Sequence, residues 1–254
     1  MPELDGTVAI VTGASRGIGK GLALGLAAAG ASVTCAARTL LDGEHELPGT
    51  VTATVDEIRA AGGEALAMRC DIGNADDIMA MVAATTDAYG RIDVLVNNAM
   101  TPTRGLFTEN TIDDWDESMR INVRSLFLTA HAVVPIMEDT GGGSIINISS
   151  GAADPAITGM PPGYLIYCVA KAALERFSTA LALEVVDQGI AVNALRPGAV
   201  KTEMSTHELG EDFDWTGWET PAAVVPAVNY LAAQRGDGFT GRIVDSTQYG
   251  TVWP

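Results

Sequence analysis

Short β-branched runs alternate with longer Ala- and Leu-rich stretches along nearly the whole chain. Residues 8–11, 32–37, 65–70, 93–96, 144–148, 190–195 and 242–244 read as strands, and 17–29, 50–61, 75–89, 112–137, 165–186 and 221–233 as helices. The strand segments are mainly continuous apolar runs instead of alternating ones, the pattern of strands buried on both faces. With helices between them, that pattern is met by a parallel sheet covered on each side. One α/β domain is expected over residues 1–254: a doubly wound parallel sheet of about seven strands flanked by helices. The chain is 47% apolar, ample for a core on both faces. Ligands of such sheets sit at the carboxyl ends of the strands, so the residues that follow each strand carry the chemical information.

The first strand runs straight into Thr12-Gly13-Ala14-Ser15-Arg16-Gly17-Ile18-Gly19, and a helix follows at once. Glycines at 13, 17 and 19 allow a tight turn and a close backbone approach to an anion at the helix N-terminus, where free N–H groups and the dipole favour negative charge. The spacing G-x-x-x-G-x-G differs from the G-x-G-x-x-G fingerprint, but its place between strand and helix points to a nucleotide. At the tip of the second strand a carboxylate suits the ribose 2′-OH of NAD, and an arginine suits a 2′-phosphate. Here Ala37 is followed by Arg38, and Arg16 stands in the glycine turn, so NADP(H) is expected. NAD(H) is the alternative, should Asp42 or Glu44 swing back to the ribose. The polar stretch 39–49, with His45 and Glu46, reads as a solvated loop and not a metal site. Asp71-Ile72 follow the third strand, where Asp71 either reaches an adenine edge or caps the next turn.

Tyr167 and Lys171 are four residues apart in an expected helix and so share a face. A free phenol ionises near pH ~10, and a fixed cation beside it favours the phenolate. A phenol tuned in this way can serve as a general acid and base. Tyr-x-x-x-Lys occurs by chance in many helices, so the neighbouring motifs matter. Asn97-Asn98-Ala99 closes the fourth strand with amides that both donate and accept. Asn122 is a polar amide in an apolar stretch and needs a buried partner. Ser149-Ser150 end the fifth strand. Pro197-Gly198-Ala199-Val200-Lys201-Thr202 follow the sixth, with a threonine hydroxyl suited to a carboxamide or a phosphate. Met119, Val123, Phe127, Ala130 and Val134 form a stripe that reads as core or subunit contact. Phe213, Trp215 and Trp218, set among acidic residues, suggest either a substrate lid at about 201–220 or a dimer contact.

Several function classes fall away. A net charge of −17 argues against nucleic acid or an anionic membrane surface as partner. A serine nucleophile would need a histidine base, yet His45, His131 and His207 have no triad context and G-x-S-x-G is absent. No Cys/His cluster has zinc-ligand spacing. Cys35, Cys70 and Cys168 lie in apolar runs, as reduced thiols do. Residues 1–5 lack the blocks of a signal peptide, and no apolar run spans a bilayer, so a cytoplasmic protein is expected.

In their order and near-usual spacings, the glycine turn, Asn97-Asn98-Ala99, Asn122, Ser149-Ser150, Tyr167/Lys171 and Pro197-Gly198 resemble the short-chain dehydrogenase/reductase family over about residues 7–245. The resemblance implies a single-domain Rossmann fold and a short-chain alcohol dehydrogenase or carbonyl reductase that interconverts a secondary alcohol and a ketone. It implies Tyr167 as acid/base, Lys171 lowering its pKa and holding the nicotinamide ribose, Ser150 steadying the substrate oxygen, and Asn122 anchoring a water in a proton relay. Cofactor contacts would come from Gly13, Ser15, Arg16, Gly17, Ile18, Gly19, Arg38, Asp71, Ile72, Asn98, Ala99, Tyr167, Lys171, Pro197, Gly198, Val200 and Thr202. A homo-oligomer, dimer or tetramer, would form through the helices at 112–137 and 165–186. The polar loop ending Leu47-Pro48-Gly49-Thr50 is similar to that of hydroxysteroid-dehydrogenase-like members.

Three positions depart from the family pattern: Met100 in place of a glycine, a long Ser150-to-Tyr167 loop holding Pro155, Pro161 and Pro162, and Asp245-Ser246 in place of Asp-Gly. The rivals are a non-catalytic dinucleotide sensor, which has no use for the tyrosine, lysine and serine together, and an epimerase or dehydratase on the same fold.

Overall fold

The computed structural model describes residues 4–156 and 160–254, so part of the long Ser150-to-Tyr167 loop and residues 1–3 lie outside the described residues. Seven strands form one all-parallel sheet: β1 (Val8–Thr12), β2 (Ser32–Ala37), β3 (Ala65–Arg69), β4 (Val94–Asn97), β5 (Gly143–Ile148), β6 (Ile190–Arg196) and β7 (Ile243–Asp245), in the order β3-β2-β1-β4-β5-β6-β7. The chain winds outward from β1 through β3, returns to pair β4 with β1, and winds outward the other way. Successive crossovers therefore leave the two central strands on opposite faces, which opens a crevice above Thr12 and Asn97.

The flanking helices are α1 (Gly17–Ala28), α2 (Val51–Ala60), α3 (Ala75–Tyr89), α4 (Ile112–Met119), α5 (Ser125–Asp139), α6 (Leu165–Val185), α7 (Glu203–Leu209) and α8 (Val225–Ala232). Leu22, Leu26, Val55, Ile58 and Val228 build the core on one face of the sheet, and Ile78, Met81, Val133, Met137 and Val185 on the other. β1 and β5 are buried at every position, their few polar side chains (Thr12, Ser144 and Asn147) included. Helix ends follow local chemistry: Thr50, Asn74 and Thr111 cap α2, α3 and α4, and Gly90 at φ +78° stops α3. Among the described residues no helix is long and apolar enough to cross a membrane.

The stretch 112–137 is not the single helix its composition suggests. A π-helical turn, Arg120–Arg124, separates α4 from α5. One wider turn shifts the register of everything after it, so the expected stripe is split. The core face of α5 is Leu126, Ala130, Val133 and Met137, whereas Phe127 points outward with 57% of its surface exposed. The segment 201–220 also holds a helix, α7, because Thr202 and Ser205 form a reciprocal cap at its start.

Candidate active site

The glycine turn lies against the tips of β1 and β4. Gly13 has φ +69°, and a Cβ there would stand 2.8 Å from the Asn98 amide; a Cβ on Gly19 would meet the Gly13 carbonyl at 2.2 Å. The glycines are thus needed first for the turn's own packing. Asn98 Nδ2 donates to the Thr12 carbonyl oxygen at 2.9 Å, and its backbone N–H donates to Thr12 Oγ1, so this amide ties the two central strand tips together. No side chain caps α1 locally, and its first turn holds no acidic residue. Its Gly17 N–H instead donates, at 2.8 Å, to Glu203 Oε2 from the far side of the cleft.

A cleft of about 670 Å³ runs from this turn to the start of α6. Of the expected cofactor contacts, Gly13, Ser15, Arg16, Gly17, Ile18, Gly19, Arg38, Asp71, Ile72, Asn98, Ala99, Tyr167, Lys171, Pro197, Gly198, Val200 and Thr202 all line it. Several are already engaged. Arg16 donates to the carbonyl oxygens of Leu47, Pro48 and Gly49, which holds the polar loop over the glycine turn. Arg38 is exposed, and its guanidinium makes no hydrogen bond or ion pair among the described residues. Glu44 accepts from the Leu40 and Leu41 N–H groups and pairs with Arg69, which holds its carboxyl down at about 2; it does not line the cleft. Asp71 Oδ1 accepts from Gly73 N–H, the turn-capping alternative. The Thr202 hydroxyl caps α7.

The catalytic candidates meet at the other end. Tyr167 and Ser150 share the cleft, and the Ser150 hydroxyl lies near enough to the phenol to favour its ionised form. The other serine of the pair, Ser149, turns inward and donates to Glu175 Oε1 at 2.7 Å. Alternation along the end of β5 sends consecutive side chains to opposite sides. Lys171 is buried, donates to the Ile148 carbonyl oxygen at 2.7 Å, and its Nζ lies 5.7 Å from the centre of the Tyr167 ring. Burial lowers the lysine to about 8, with Glu175 opposing. Burial also pushes the Tyr167 phenol above its ordinary value; hydrogen bonding to Ser150 and the charge of Arg104 act the other way. Two cations thus stand near the phenol: Lys171 on its own helix face and Arg104 from the loop after β4.

Asn122 stands one layer behind the cleft. Its amide accepts from the Thr101 N–H and donates to the Thr101 carbonyl oxygen and to Ser118 Oγ. This amide, on the π turn, fixes the Met100–Thr101 segment in place of lining the pocket. A further layer supports Ser149: Glu175 accepts two hydrogen bonds from Arg196, which also pairs with Asp154. Of the expected lid aromatics, Trp218 lines the cleft; it packs edge-on against Trp215 and Phe213, and Lys201 sits 4.6 Å over the Trp215 ring. Composition gave no signal for Arg104, Tyr164, Glu203 or Glu208. They are ordinary polar residues in loops or in a short helix, and their partners are far away in sequence.

The described residues contain no group of acidic, histidine and cysteine side chains that would hold a metal. A family model described as short chain dehydrogenase matches residues 7–212. A 3-oxoacyl-[acyl-carrier-protein] reductase of Synechocystis is 39% identical over 207 residues, covering 81% of this chain and 78% of that protein. A 7alpha-hydroxysteroid dehydrogenase of Clostridium sardiniense is 37% identical over 255 residues, 96% of this chain and 92% of the other. A short chain dehydrogenase of Burkholderia cenocepacia, solved in complex with NADP, superposes with a TM-score of 0.82 at 28% identity and covers 96% of this chain and 97% of that one.

Proposed function

The chain belongs to the short-chain dehydrogenase family, and from that premise we propose that it is an NADP(H)-dependent oxidoreductase interconverting a secondary alcohol and a ketone. The observation that carries this reading is the convergence of Tyr167, Ser150 and Lys171 at one end of a cleft whose other end is a helix N-terminus already holding an anion. The carboxylate of Glu203 on Gly17 N–H is a stand-in for a phosphate, so the turn fits a dinucleotide.

When bound, the nicotinamide supplies or accepts the hydride. The chain manages binding and the proton. Gly13, Ser15, Gly17, Ile18 and Gly19 would hold the pyrophosphate; Ile72, Asn98, Ala99, Pro197, Gly198 and Val200 border the rest, and Asp71 an adenine edge. Arg38, the exposed cation at the tip of β2, would take a 2′-phosphate. With Arg16 and Glu44 both committed to the loop, the choice between NADP and NAD falls on Arg38. Lys171, held by the Ile148 carbonyl, would bond the nicotinamide ribose. The raised pKa of Tyr167 keeps its proton in place near neutral pH, ready for donation to a carbonyl oxygen that Ser150 also hydrogen-bonds. Asn122 acts through Thr101, whose backbone forms the wall beside this pair.

Tyr167→Phe is expected to lose turnover by at least ~100-fold and to keep NADPH affinity, read by nicotinamide fluorescence. Turnover at the wild-type rate would remove the phenol from the mechanism. Arg38→Leu should reduce kcat/KM with NADPH and spare it with NADH; equal losses with both would overturn the cofactor choice. We further read 201–220 as a lid, its helix α7 closing over the cleft. Exposed Phe127, Leu165 and Val169 on α5 and α6 suit a subunit interface. Unpaired Cys35 and Cys70, raised to about 12 by burial, suit a reducing compartment such as the cytoplasm.

A further inference from the structure

The substrate end of the cleft contains a cation that hydride transfer does not require. Arg104, between β4 and α4, donates through Nη2 to Glu208 Oε2 at 2.6 Å. Its Nη1 bonds the Tyr164 hydroxyl, and its Cζ lies 4.4 Å over the Tyr164 ring. That ring meets Tyr167 edge-on, centre to centre at 6.4 Å. One aromatic ring therefore separates the guanidinium from the phenol that handles the proton. Arginine keeps its charge at any working pH and presents a planar fork that matches a carboxylate.

Among the described residues its only acidic partner is Glu208, on α7. Both side chains of this pair are partly exposed, at 40% and 25%, so the contact contributes little to folding and exchanges readily. The same helix carries Glu203, whose carboxylate sits on the Gly17 N–H where the family reading places a phosphate. Seven residues of helix thus put one carboxylate on an anion-binding group at each end of the cleft. At the cofactor end the carboxylate stands where a ligand's anion belongs. By the same geometry, Glu208 marks a second such position beside Tyr167.

We propose that Arg104 determines substrate specificity by binding a carboxylate of the substrate in place of Glu208, so that the enzyme acts on keto acids and hydroxy acids. This rests on the hydride-transfer reading above and narrows its substrate class. A carboxylate taken from water gains two charge-assisted hydrogen bonds in the fork. Glu208, at the exposed end of α7 and already a quarter exposed, exchanges this partner for water.

The test uses the whole protein and straight-chain keto acids of increasing length, beginning with acetoacetate and levulinate, each paired with its methyl ester. Wild type is expected to favour acid over ester in kcat/KM. In Arg104→Met that ratio should fall by roughly ten- to a hundredfold, mainly through KM, and Arg104→Lys should restore part of it. Glu208→Gln should raise kcat/KM for the acids by removing a competing anion. Binding of levulinate, followed by tryptophan fluorescence, is read separately and should be lost in Arg104→Met. Esters turned over as well as acids, with an unchanged ratio in Arg104→Met and no loss of levulinate binding, would overturn the anion subsite and leave hydride transfer standing. Arg104-dependent binding of levulinate without NADPH oxidation on any acid or ester would uphold the subsite and sink the hydride-transfer reading.

Discussion

If the proposed function holds, Glu203 and a dinucleotide phosphate must compete for the same N–H. The Glu203 carboxylate accepts from Gly17 at 2.8 Å, and α1 has no local cap that would replace it. A hydrogen bond with one ionised partner contributes ~1.5–3 kcal/mol net, and a charge at a helix end adds ~0.3–1 kcal/mol. Glu203 is half-buried, so solvent screening brings the contact toward about 1 kcal/mol. Glu203→Gln keeps the length and an acceptor oxygen but removes the charge. The cofactor-free state loses that stabilisation, and repulsion between the displaced carboxylate and the phosphates disappears. The Kd for NADPH should therefore fall by roughly five- to tenfold. Fluorescence titration of NADPH at low and at physiological salt measures it, and the difference between the two proteins should shrink as salt rises. An unchanged or weaker affinity in Glu203→Gln would refute a shared site.

Arg196→Met leaves the buried Glu175 carboxylate with Ser149 as its remaining hydrogen-bond donor. The expected loss is ~3–5 kcal/mol, a Tm lower by roughly 6–20 °C, and replacing both partners by apolar residues should recover most of it. A Tm within a degree or two of wild type in the single variant would contradict the hub. Lys171 is lowered by burial from 10.5 to about 8, so between those values the unfolded chain binds the extra proton and folding gains as pH rises. Below about 8 the cost of burying the ammonium is fully present. Urea unfolding of the cofactor-free protein should show wild type gaining ~1–3 kcal/mol over Lys171→Met across that window; a flat difference would argue that the ammonium is hydrated. Phe127, 57% exposed on α5, should be covered in an oligomer. Phe127→Lys is expected to lower the mass seen by light scattering, and a monomeric wild type would dismiss that interface.

The fold was legible because a parallel sheet leaves a plain trace in composition. Strands covered on both faces are mostly apolar without alternation, as β1, β5 and β6 are, with Thr12, Ser144, Asn147, Asn193 and Arg196 the polar exceptions. The glycine turn and the Tyr167/Lys171 pair were legible for a similar reason: each is local, fixed by spacing within one turn or one helix. The π turn at 120–124 was not: no Pro or Gly marks it, and the contact made from it, Asn122 to Thr101, spans 21 positions of chain. Nor could spacing show that a second cation reaches the same end of the cleft. Lys171 shares the helix face of Tyr167, while Arg104 arrives from another loop and lies over the Tyr164 ring.

By itself, then, the sequence determined the doubly wound sheet, the place of the cleft and the residues at its strand tips. Tertiary structure alone decided which groups are already in use: Arg16 on the polar loop, Glu44 on Arg69, Glu203 on Gly17 and Glu208 on Arg104. Periodicity reports how a residue faces its own element. Hydrogen bonds and ion pairs depend on distance in space, and the Glu203 contact closes over 186 positions of chain.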